Sequence, residues 1–331
     1  MNLHVLSPGR VNLIGDHTDY TGGLVLPMAI DRYTEIKGTR EGDRVRLSSF
    51  DEPAAVDLPL HIDRPQDAEP AWGKYVAGVI SELPHPQGFH GHVTTDIPIG
   101  AGLSSSAALE VAVALALGFK GTPLTLAQLC QRAENRASGV PSGIMDQLAI
   151  AAGVAGHALM INCGELTVTP VALPTDIEIV VQFIAHRTLV GSPYAERVAQ
   201  CAAAEGIIGP LRHATTAQAR TIDDPVVRSR AMHVTSENRR VLEFADAIST
   251  GHLAAAGRLM VQSHNSLRDL YATSTPTMDA AVAQLAATPG VYGARMTGGG
   301  FGGCVVALTD PGALTTGWVV RAVDGATIVA G

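Results

Sequence analysis

Two acidic residues and a histidine lie within four positions in the stretch GRVNLIGDHTDYTGG, from Gly9 to Gly23. The carboxylates of Asp16 and Asp19 can each accept several hydrogen bonds, and the His17 imidazole can donate or accept another. A zinc site would need a further ligand at regular spacing, and the intervening residues are poor ligands for that metal. The stretch therefore favours either a binding surface for the adjacent hydroxyls of a polyol or a solvated polar turn.

A second candidate is the stretch PIGAGLSSSAALEVA, from Pro98 to Ala112, which leads into an apolar helix predicted over 107–117. The free N–H groups at the start of a helix bind phosphate. No lysine follows, unlike in a Walker loop, and Ser105 stands where a dinucleotide fingerprint has its third glycine. The stretch fits a phosphate site, in which Ser105 or Ser106 adds a donor or reaches magnesium. It also fits a capped, buried helix.

Two further carboxylates stand at opposite ends of predicted helices. Asp146, in GVPSGIMDQ, lies in the predicted first turn of a short helix, where the helix dipole alone would stabilise its charge. Glu134 lies near the end of the preceding helix, where a carboxylate is disfavoured and a cation such as magnesium would offset its charge. Thr125 and Gln128 are predicted to form a capping box that opens that preceding helix, which should stop before Gly139.

The elements around these residues predict a two-layer protein of mixed α and β structure. Short β-like runs alternate with helices in the amino half. The carboxyl half contains the strand EIVVQFI, helices around 237–248 and 253–262, and a helix capped by Thr275. GGGFGG matches the spacing GxGxxG, but it runs into the strand-like CVVAL, so it predicts a hairpin and not a nucleotide site. We place the domain boundary so that the domains span 1–165 and 166–331.

Composition narrows the class of partner. The 331-residue chain has a net charge of −8, which leaves no basic footprint for nucleic acid and favours a small-molecule ligand. Its longest apolar run, near 106–119, contains Glu110 and is too short to span a bilayer, so no membrane association and a cytoplasmic location are expected. The four cysteines have no CxxC spacing and are expected to be reduced and buried. HPQGFHGH, with His85, His90 and His92, is expected to be a surface loop and not a metal site.

Six stretches together resemble the GHMP sugar kinases. They occur in the family's order and cover nearly the whole chain: GRVNLIGDHTDYTGG, PIGAGLSSSAALEVA, AEN…SGIMDQ, GSPYAERV, SHNSLRDLYATSTPTMD and GVYGARMTGGGFGGC. The resemblance implies an α+β fold of two domains, the first like the second domain of ribosomal protein S5 and the second ferredoxin-like. The active site is then expected between the two domains.

The resemblance also implies an activity: transfer of the γ-phosphoryl group of ATP to the anomeric hydroxyl of α-D-galactose, which yields galactose 1-phosphate for the Leloir pathway. A sister sugar 1-kinase acting on arabinose, galacturonate or N-acetylgalactosamine is the alternative. A catalytically silent, sugar-sensing relative is disfavoured because Arg10, Asp146 and Glu134 are all present. The chain is expected to be a monomer or a weak homodimer.

Residue roles follow from the same resemblance by matching position. It implies that Asp146 is the catalytic aspartate and Arg10 its charged neighbour, which keeps Asp146 ionised so that it orients the hydroxyl and takes the proton late. The residues implied to hold the sugar are Arg10, Asp16, His17, Asp19, Gly143, Asp146 and Tyr194. Those implied to hold the ATP phosphates are Gly100, Ala101, Gly102, Leu103, Ser104, Ser105 and Ser106. Ser106 and Glu134 are implied to serve Mg²⁺, and Asp16 replaces the usual, longer Glu.

Overall fold

The structure, a computed structural model, describes residues 2–186 and 193–329. Within these ranges the chain forms three β-sheets and nine α-helices, which confirms the predicted α+β class. The strands are β1 Asn2–Asn12, β2 Leu24–Val25, β3 Pro27–Arg40, β4 Arg44–Ser49, β5 Val56–Pro59, β6 Phe89–Thr95, β7 His157–Asn162, β8 Thr167–Ala172, β9 Glu178–Ala185, β10 Val291–Thr297, β11 Gly303–Thr309, β12 Trp318–Val320 and β13 Thr327–Val329. The helices are α1 Gly73–Glu82, α2 Ser105–Ala116, α3 Pro123–Ser138, α4 Met145–Ala152, α5 Tyr194–Ile208, α6 Thr216–Ala219, α7 Pro225–Ser249, α8 Leu253–Ser266 and α9 Pro276–Ala286.

The largest sheet has six strands in the order β13-β1-β3-β6-β4-β5. Strand β4 shows the alternation of a half-buried strand, since Val45 and Leu47 are buried while Arg46 is exposed. The last six residues of β1 are all buried, because helix α2 packs across this end of the strand. Arg10 is therefore a buried charged residue on a central strand.

The carboxyl half contributes a four-stranded sheet in the order β10-β11-β9-β12, with α8 and α9 packed on it and the long helix α7 packed on α8. A third sheet, β2-β7-β8, lies beside these two layers. Strand β13 returns to the first sheet and pairs with β1. The domain boundary at residue 165 stays a prediction.

The helix predictions are confirmed except at two helix starts. Helix α7 begins at Pro225, well before the predicted range of 237–248. Helix α2 covers most of the predicted range, and α3 ends at Gly139, whose φ of 70° suits glycine. The capping box of α3 is formed by Thr122 and Thr125, so the prediction of Thr125 with Gln128 is wrong by one turn. Pro123 explains the difference, because proline is favoured at the first helical position and places the cap directly before it.

The prediction of a surface loop over the histidines is wrong for His90 and His92, which lie on β6. The neighbours of these histidines, Phe89 and Val93, are buried in the core. This burial favours a strand that begins at Phe89, directly after a glycine. Among the described residues, no group of three or more His, Cys, Asp or Glu side chains could hold a metal ion. None of the four cysteines forms a disulfide, and all four are buried, as predicted. Nor does any helix in the described ranges combine the length and apolar character needed to cross a membrane.

Candidate active site

One cavity of about 390 Å³ collects most of the predicted site residues. It is bounded by the buried end of β1, the loop before α2, the ends of α3 and α4, and the start of α5. The predicted residues that line it are Arg10, Asp16, His17, Asp19, Gly100, Gly102, Ser104, Ser105, Ser106, Glu134, Gly143, Asp146 and Tyr194. The two exceptions are Ala101 and Leu103, whose side chains are buried in the hydrophobic core and anchor the loop from behind.

Arg10 and Asp146 form a two-point ion pair in this cavity. The Arg10 Nε donates to Asp146 Oδ1 at 2.8 Å and its Nη2 donates to Oδ2 at 2.7 Å. A third donor, Nη1, reaches the carbonyl of Gly102 at 2.6 Å. Because the planar guanidinium matches the carboxylate at two points, it fixes the direction in which Asp146 faces the cavity.

The serine loop, residues 98–106, turns sharply before α2. Gly100 and Gly102 have φ angles of 74° and 81°, and Ser104 has a φ of 62°, a left-handed conformation that is uncommon for serine. Ser104 occupies the N-cap position of α2, yet its hydroxyl donates to Asp146 Oδ2 and does not cap the helix. The N–H groups of the first helical turn therefore remain available to an anion in the cavity.

The predicted magnesium residues are adjacent. Ser106 Oγ donates to Glu134 Oε1 at 3.1 Å, and Gln147 Nε2 donates to the other Glu134 oxygen at 2.6 Å. Removal from water, followed by repulsion from the Asp146 charge, raises the pKa of Glu134. A divalent cation beside Glu134 would offset that repulsion. A hydroxyl and one carboxylate fit Mg²⁺, which binds one or two carboxylates and takes its remaining oxygens from water and phosphate.

The opener loop, residues 12–24, supplies the other wall of the cavity. Burial, followed by the negative charges of Asp146 and Asp16, raises the pKa of Asp19 to about 7. Gly143 lies against this residue, so closely that a Cβ at position 143 would overlap the Asp19 carboxylate. The glycine is therefore needed for close approach of two chain segments, and not for an unusual backbone angle.

Three tyrosines surround His17. Its Nδ1 lies 2.9 Å from the Tyr20 hydroxyl, which in turn contacts the hydroxyl of Tyr271. The Tyr194 ring lies 5.5 Å from the imidazole, measured between ring centroids. The imidazole is thus held by a polar contact and by ring contacts, and His17 lines the cavity.

Asp16 is engaged differently from the prediction of a carboxylate that faces sugar hydroxyls. It is only 2% exposed, its Oδ1 accepts from the Gly298 N–H at 2.9 Å, and its Oδ2 lies 2.5 Å from Nη2 of Arg295. Its contact with sugar stays a prediction. Sequence reasoning missed Arg295, although a lone arginine in the apolar strand before GGGFGG was a usable signal.

Other lining residues were also missed. Trp72 and Tyr75, together with Ile99 of the serine loop, give the cavity an apolar wall, and Gly298 and Gly299 also line it. Tryptophan is rare in this chain, which has two, so Trp72 could have been singled out by composition. Nothing in the local pattern places it near the serine loop, because the two are joined only through packing of α1 against α2.

Comparison with known families matches three parts of the chain. The GHMP kinases N terminal domain matches residues 74–154, and the GHMP kinases C terminal domain matches residues 244–315. The galactokinase galactose-binding signature matches residues 3–39, a range that contains the opener loop.

Individual proteins are similar over almost the full length. The galactokinase of Homo sapiens is 39% identical over 99% of this chain and 92% of its own length. That of Chloroflexus aggregans is 42% identical over 92% of this chain and 83% of its own. Among solved structures, galactokinase from Lactococcus lactis, complexed with galactose, has a TM-score of 0.91 and 32% identity, covering 98% of this chain and 95% of its own. A mevalonate kinase from L. major, with a TM-score of 0.67 and 19% identity over 96% and 95% of the two chains, shares the fold.

Proposed function

The chain belongs to the galactokinases of the GHMP kinase family, and from this membership we propose that it transfers the γ-phosphoryl group of ATP to the anomeric hydroxyl of α-D-galactose. The observation that carries the proposal is that Asp146, the proposed catalytic base, lies next to the proposed phosphate site at the start of α2. Ser104, the N-cap residue of α2, donates to the same Asp146 carboxylate that Arg10 holds at two points. An acceptor hydroxyl at Asp146 would therefore lie beside phosphates bound at the start of α2.

Asp146 acts on the hydroxyl. Its carboxylate accepts a hydrogen bond from the anomeric O–H and so directs the oxygen toward the γ-phosphorus. As the new P–O bond forms, the proton passes to Asp146, and the bond between the γ-phosphorus and the bridging β–γ oxygen breaks to release ADP. We propose that the proton moves late, and that Arg10, which donates to both oxygens of Asp146, also stabilises charge on the transferring group.

The two substrates are held by different walls of the cavity. We assign the sugar hydroxyls to His17, Asp19 and Tyr194, whose polar groups border the space in front of Asp146. The phosphates are assigned to the serine loop, and the nucleobase to the apolar wall of Trp72 and Tyr75, because an aromatic base stacks on aromatic side chains. The glycines of the serine loop allow its backbone to approach a phosphate closely.

We propose Ser106 and Glu134 as the residues that hold Mg²⁺. The ion would neutralise charge on the phosphates, as in phosphoryl transfer generally. Gln147 orients Glu134 from behind through the 2.6 Å hydrogen bond to its carboxylate. We also propose that the enzyme works in the cytoplasm, without nucleic acid or membrane partners, as a monomer or weak homodimer. The net charge of −8 and the four free cysteines support the location and the absence of a nucleic-acid partner.

A coupled assay of ADP release tests the function. The chain is incubated with ATP, magnesium and a panel of aldoses that includes galactose, arabinose, galacturonate and N-acetylgalactosamine, and the phosphate is located by ³¹P NMR. We expect turnover with galactose to exceed that with the other sugars, and the product to carry phosphate at the anomeric oxygen. Turnover of another sugar with none of galactose would overturn the galactose assignment and retain the kinase. ADP release with no sugar dependence would overturn both.

A further inference from the structure

Arg295 is a fully buried charge in the carboxyl half of the chain, and its polar contacts go to the opener loop. Its Nη1 donates to the carbonyls of Asn12 and Leu13 at 3.3 and 3.2 Å. Its Nη2 pairs with Asp16 at 2.5 Å, and both side chains are almost completely removed from water. Burying a guanidinium on an apolar strand is costly unless its charge is paired. The Asp16 carboxylate supplies the opposite charge, whereas Nε of Arg295 has no hydrogen-bond partner among the described residues.

The Arg295 contacts join two segments that line the cavity. Asp16 uses its second oxygen to accept from the N–H of Gly298, the first residue after β10. Arg295 sits on β10 itself, three residues before Gly298. The pair therefore fixes the opener loop and the glycine turn of 298–303 relative to each other, and Arg295 itself does not line the cavity.

The loop that Arg295 holds has a backbone that needs outside support. Gly15 has a φ of 99°, and His17 has a φ of 65°, a left-handed conformation that is unfavourable for a residue with a Cβ atom. Such conformations persist where surrounding contacts determine them. Since Asp16 lies between these two residues, release of its carboxylate would allow both to relax and would move the His17 imidazole.

We propose that Arg295 is a positioning residue for the sugar. It shapes the opener loop through Asp16 and the carbonyls of Asn12 and Leu13, and it does not contact the substrate. This inference rests on the proposed function, because it takes the opener loop to be the sugar-binding wall. It assigns Asp16, whose carboxylate is committed to Arg295 and Gly298, a role in holding the shape of that wall.

Substitution of Arg295 tests the proposal. Arg295→Lys keeps a cation near Asp16 but cannot serve both carbonyls in the same fork geometry. We expect KM for galactose to rise about 10- to 100-fold, while KM for ATP stays within about twofold, since the serine loop makes none of the described Arg295 contacts. Arg295→Gln should raise KM for galactose more than Arg295→Lys does. The increase in Tm that galactose causes should be smaller in Arg295→Lys than in the unaltered chain, and smallest in Arg295→Gln.

Controls separate positioning from loss of stability. Val305→Ala weakens the same hairpin, because Val305 pairs with Met296 on β10 and is buried in the core. It should lower Tm without a selective change in galactose KM. In a double-mutant cycle, Arg295→Gln should have a smaller effect on galactose KM in an Asp16→Asn background than alone. Arg295→Gln alone leaves the Asp16 carboxylate buried and unpaired and could therefore fail to fold. Asp16→Asn removes that charge, so the double variant can still be measured.

The inference fails if the Arg295 variants raise both KM values together, as a general loss of structure would, or if they leave galactose KM unchanged. Failure of the proposed function has a different signature, because it is seen in the unaltered chain as absence of galactose turnover. If another aldose is the better substrate, the same comparison is made with the KM and Tm shift for that sugar.

Discussion

The two loops that line the cavity are built in opposite ways. The serine loop is held within the amino half, since Arg10 binds Leu103 through its backbone and Gly102 through its side chain. The opener loop belongs to the same half, but several of its polar backbone groups are bound from the carboxyl half. Its partners there are Arg295 and Thr297 from β10, and His233, Glu237 and Asn238 from α7.

From this difference we expect the two proposed substrate sites to depend on different parts of the fold. The proposed phosphate site is formed by β1, α2, α3 and α4, which all lie in the amino half. The proposed sugar wall also needs contacts from the carboxyl half. Changes in the carboxyl half should therefore alter sugar binding before they alter ATP binding, and the following variants test that separation.

The largest effect is expected at Asp146, which is bound by Arg10 of β1 and by Ser104 of the serine loop. Asp146→Asn keeps the size of the side chain but cannot accept the proton, so kcat should fall about 10²- to 10⁴-fold. Galactose should still raise Tm. Asp57→Asn is the matched control. Asp57, like Asp146, forms ion pairs with arginine, in its case with Arg44 and Arg46, but it lies on the exposed surface. Near-normal kcat in Asp146→Asn would remove it from the catalytic role.

A large and selective effect on the sugar side is expected from Gly143→Ala. The new methyl group would overlap the Asp19 carboxylate and force it to move. KM for galactose should rise about 10- to 100-fold, with KM for ATP nearly unchanged. Gly206→Ala is the control, because a Cβ at position 206 meets no atom within 4 Å. An equal rise in both KM values would argue against separate walls.

The converse is expected for Ser106→Ala on the phosphate side. Loss of its hydrogen bond to Glu134 should raise KM for ATP, and the magnesium concentration needed for half-maximal rate, about two- to tenfold. KM for galactose should stay constant. Ser81→Ala, on α1 away from the cavity, removes a comparable hydroxyl and should change neither. A selective change in galactose KM would contradict the assignment of Ser106 to the phosphate side of the cavity.

The two loops should also differ in their response to pH, because the opener carries Asp19 while residues 98–106 carry no titratable side chain. Burial, with the charges of Asp146 and Asp16, raises the pKa of Asp19 from an ordinary 3.8 to about 7 in the folded chain. Stability from the protonated carboxyl is then fully present below about pH 4 and is lost as pH rises toward 7. Between about pH 5 and pH 8, Tm of the unaltered chain should fall relative to Asp19→Asn. A constant Tm difference would mean that Asp19 does not titrate in this range.

The smallest effect is expected from Asp224→Ala, at the start of the helix that holds the opener loop. Asp224 caps α7 by accepting from the N–H groups of Val226 and Val227. Its loss should lower the free energy of unfolding by about 1 kcal/mol, measured by urea titration. Both KM values should be unchanged, since the α7 residues that reach the opener lie two turns and more from this end. A rise in galactose KM would show that fraying of α7 reaches the loop.

Much of the architecture was predictable because it follows from local patterns. The periodicity of α2 and the proline and threonine at the start of α9 predicted both helices, and GGGFGG predicted its hairpin from the strand that follows. The histidines of β6 were assigned wrongly because glycine and proline around them resemble a loop. Their strand is stabilised by pairing with β3, which lies far away in the sequence.

The residues that line the candidate site could be predicted from the sequence, but the contacts between them could not. Family motifs assembled the lining residues, while the hydrogen bond from Ser104 to Asp146 and the pairing of Asp16 with Arg295 could not be derived from spacing. Both contacts depend on where elements pack in three dimensions. The stretch GSPYAERV was predicted as part of the site, and its residues Gly191 and Ser192 lie outside the described residues.

The distance along the chain between Asp16 and its partner Gly298 has a consequence for synthesis on the ribosome. The two residues are 282 positions apart, and translation proceeds at about 5 to 20 residues per second. Synthesis from the end of α4 at Ala152 to Gly298 takes roughly 7 to 30 seconds. During this time the nascent chain presents a complete serine loop beside an opener loop whose partners in the carboxyl half have not all been made. A chaperone that shields the amino half during this interval would protect the sugar wall most, and slow translation would expose it longest.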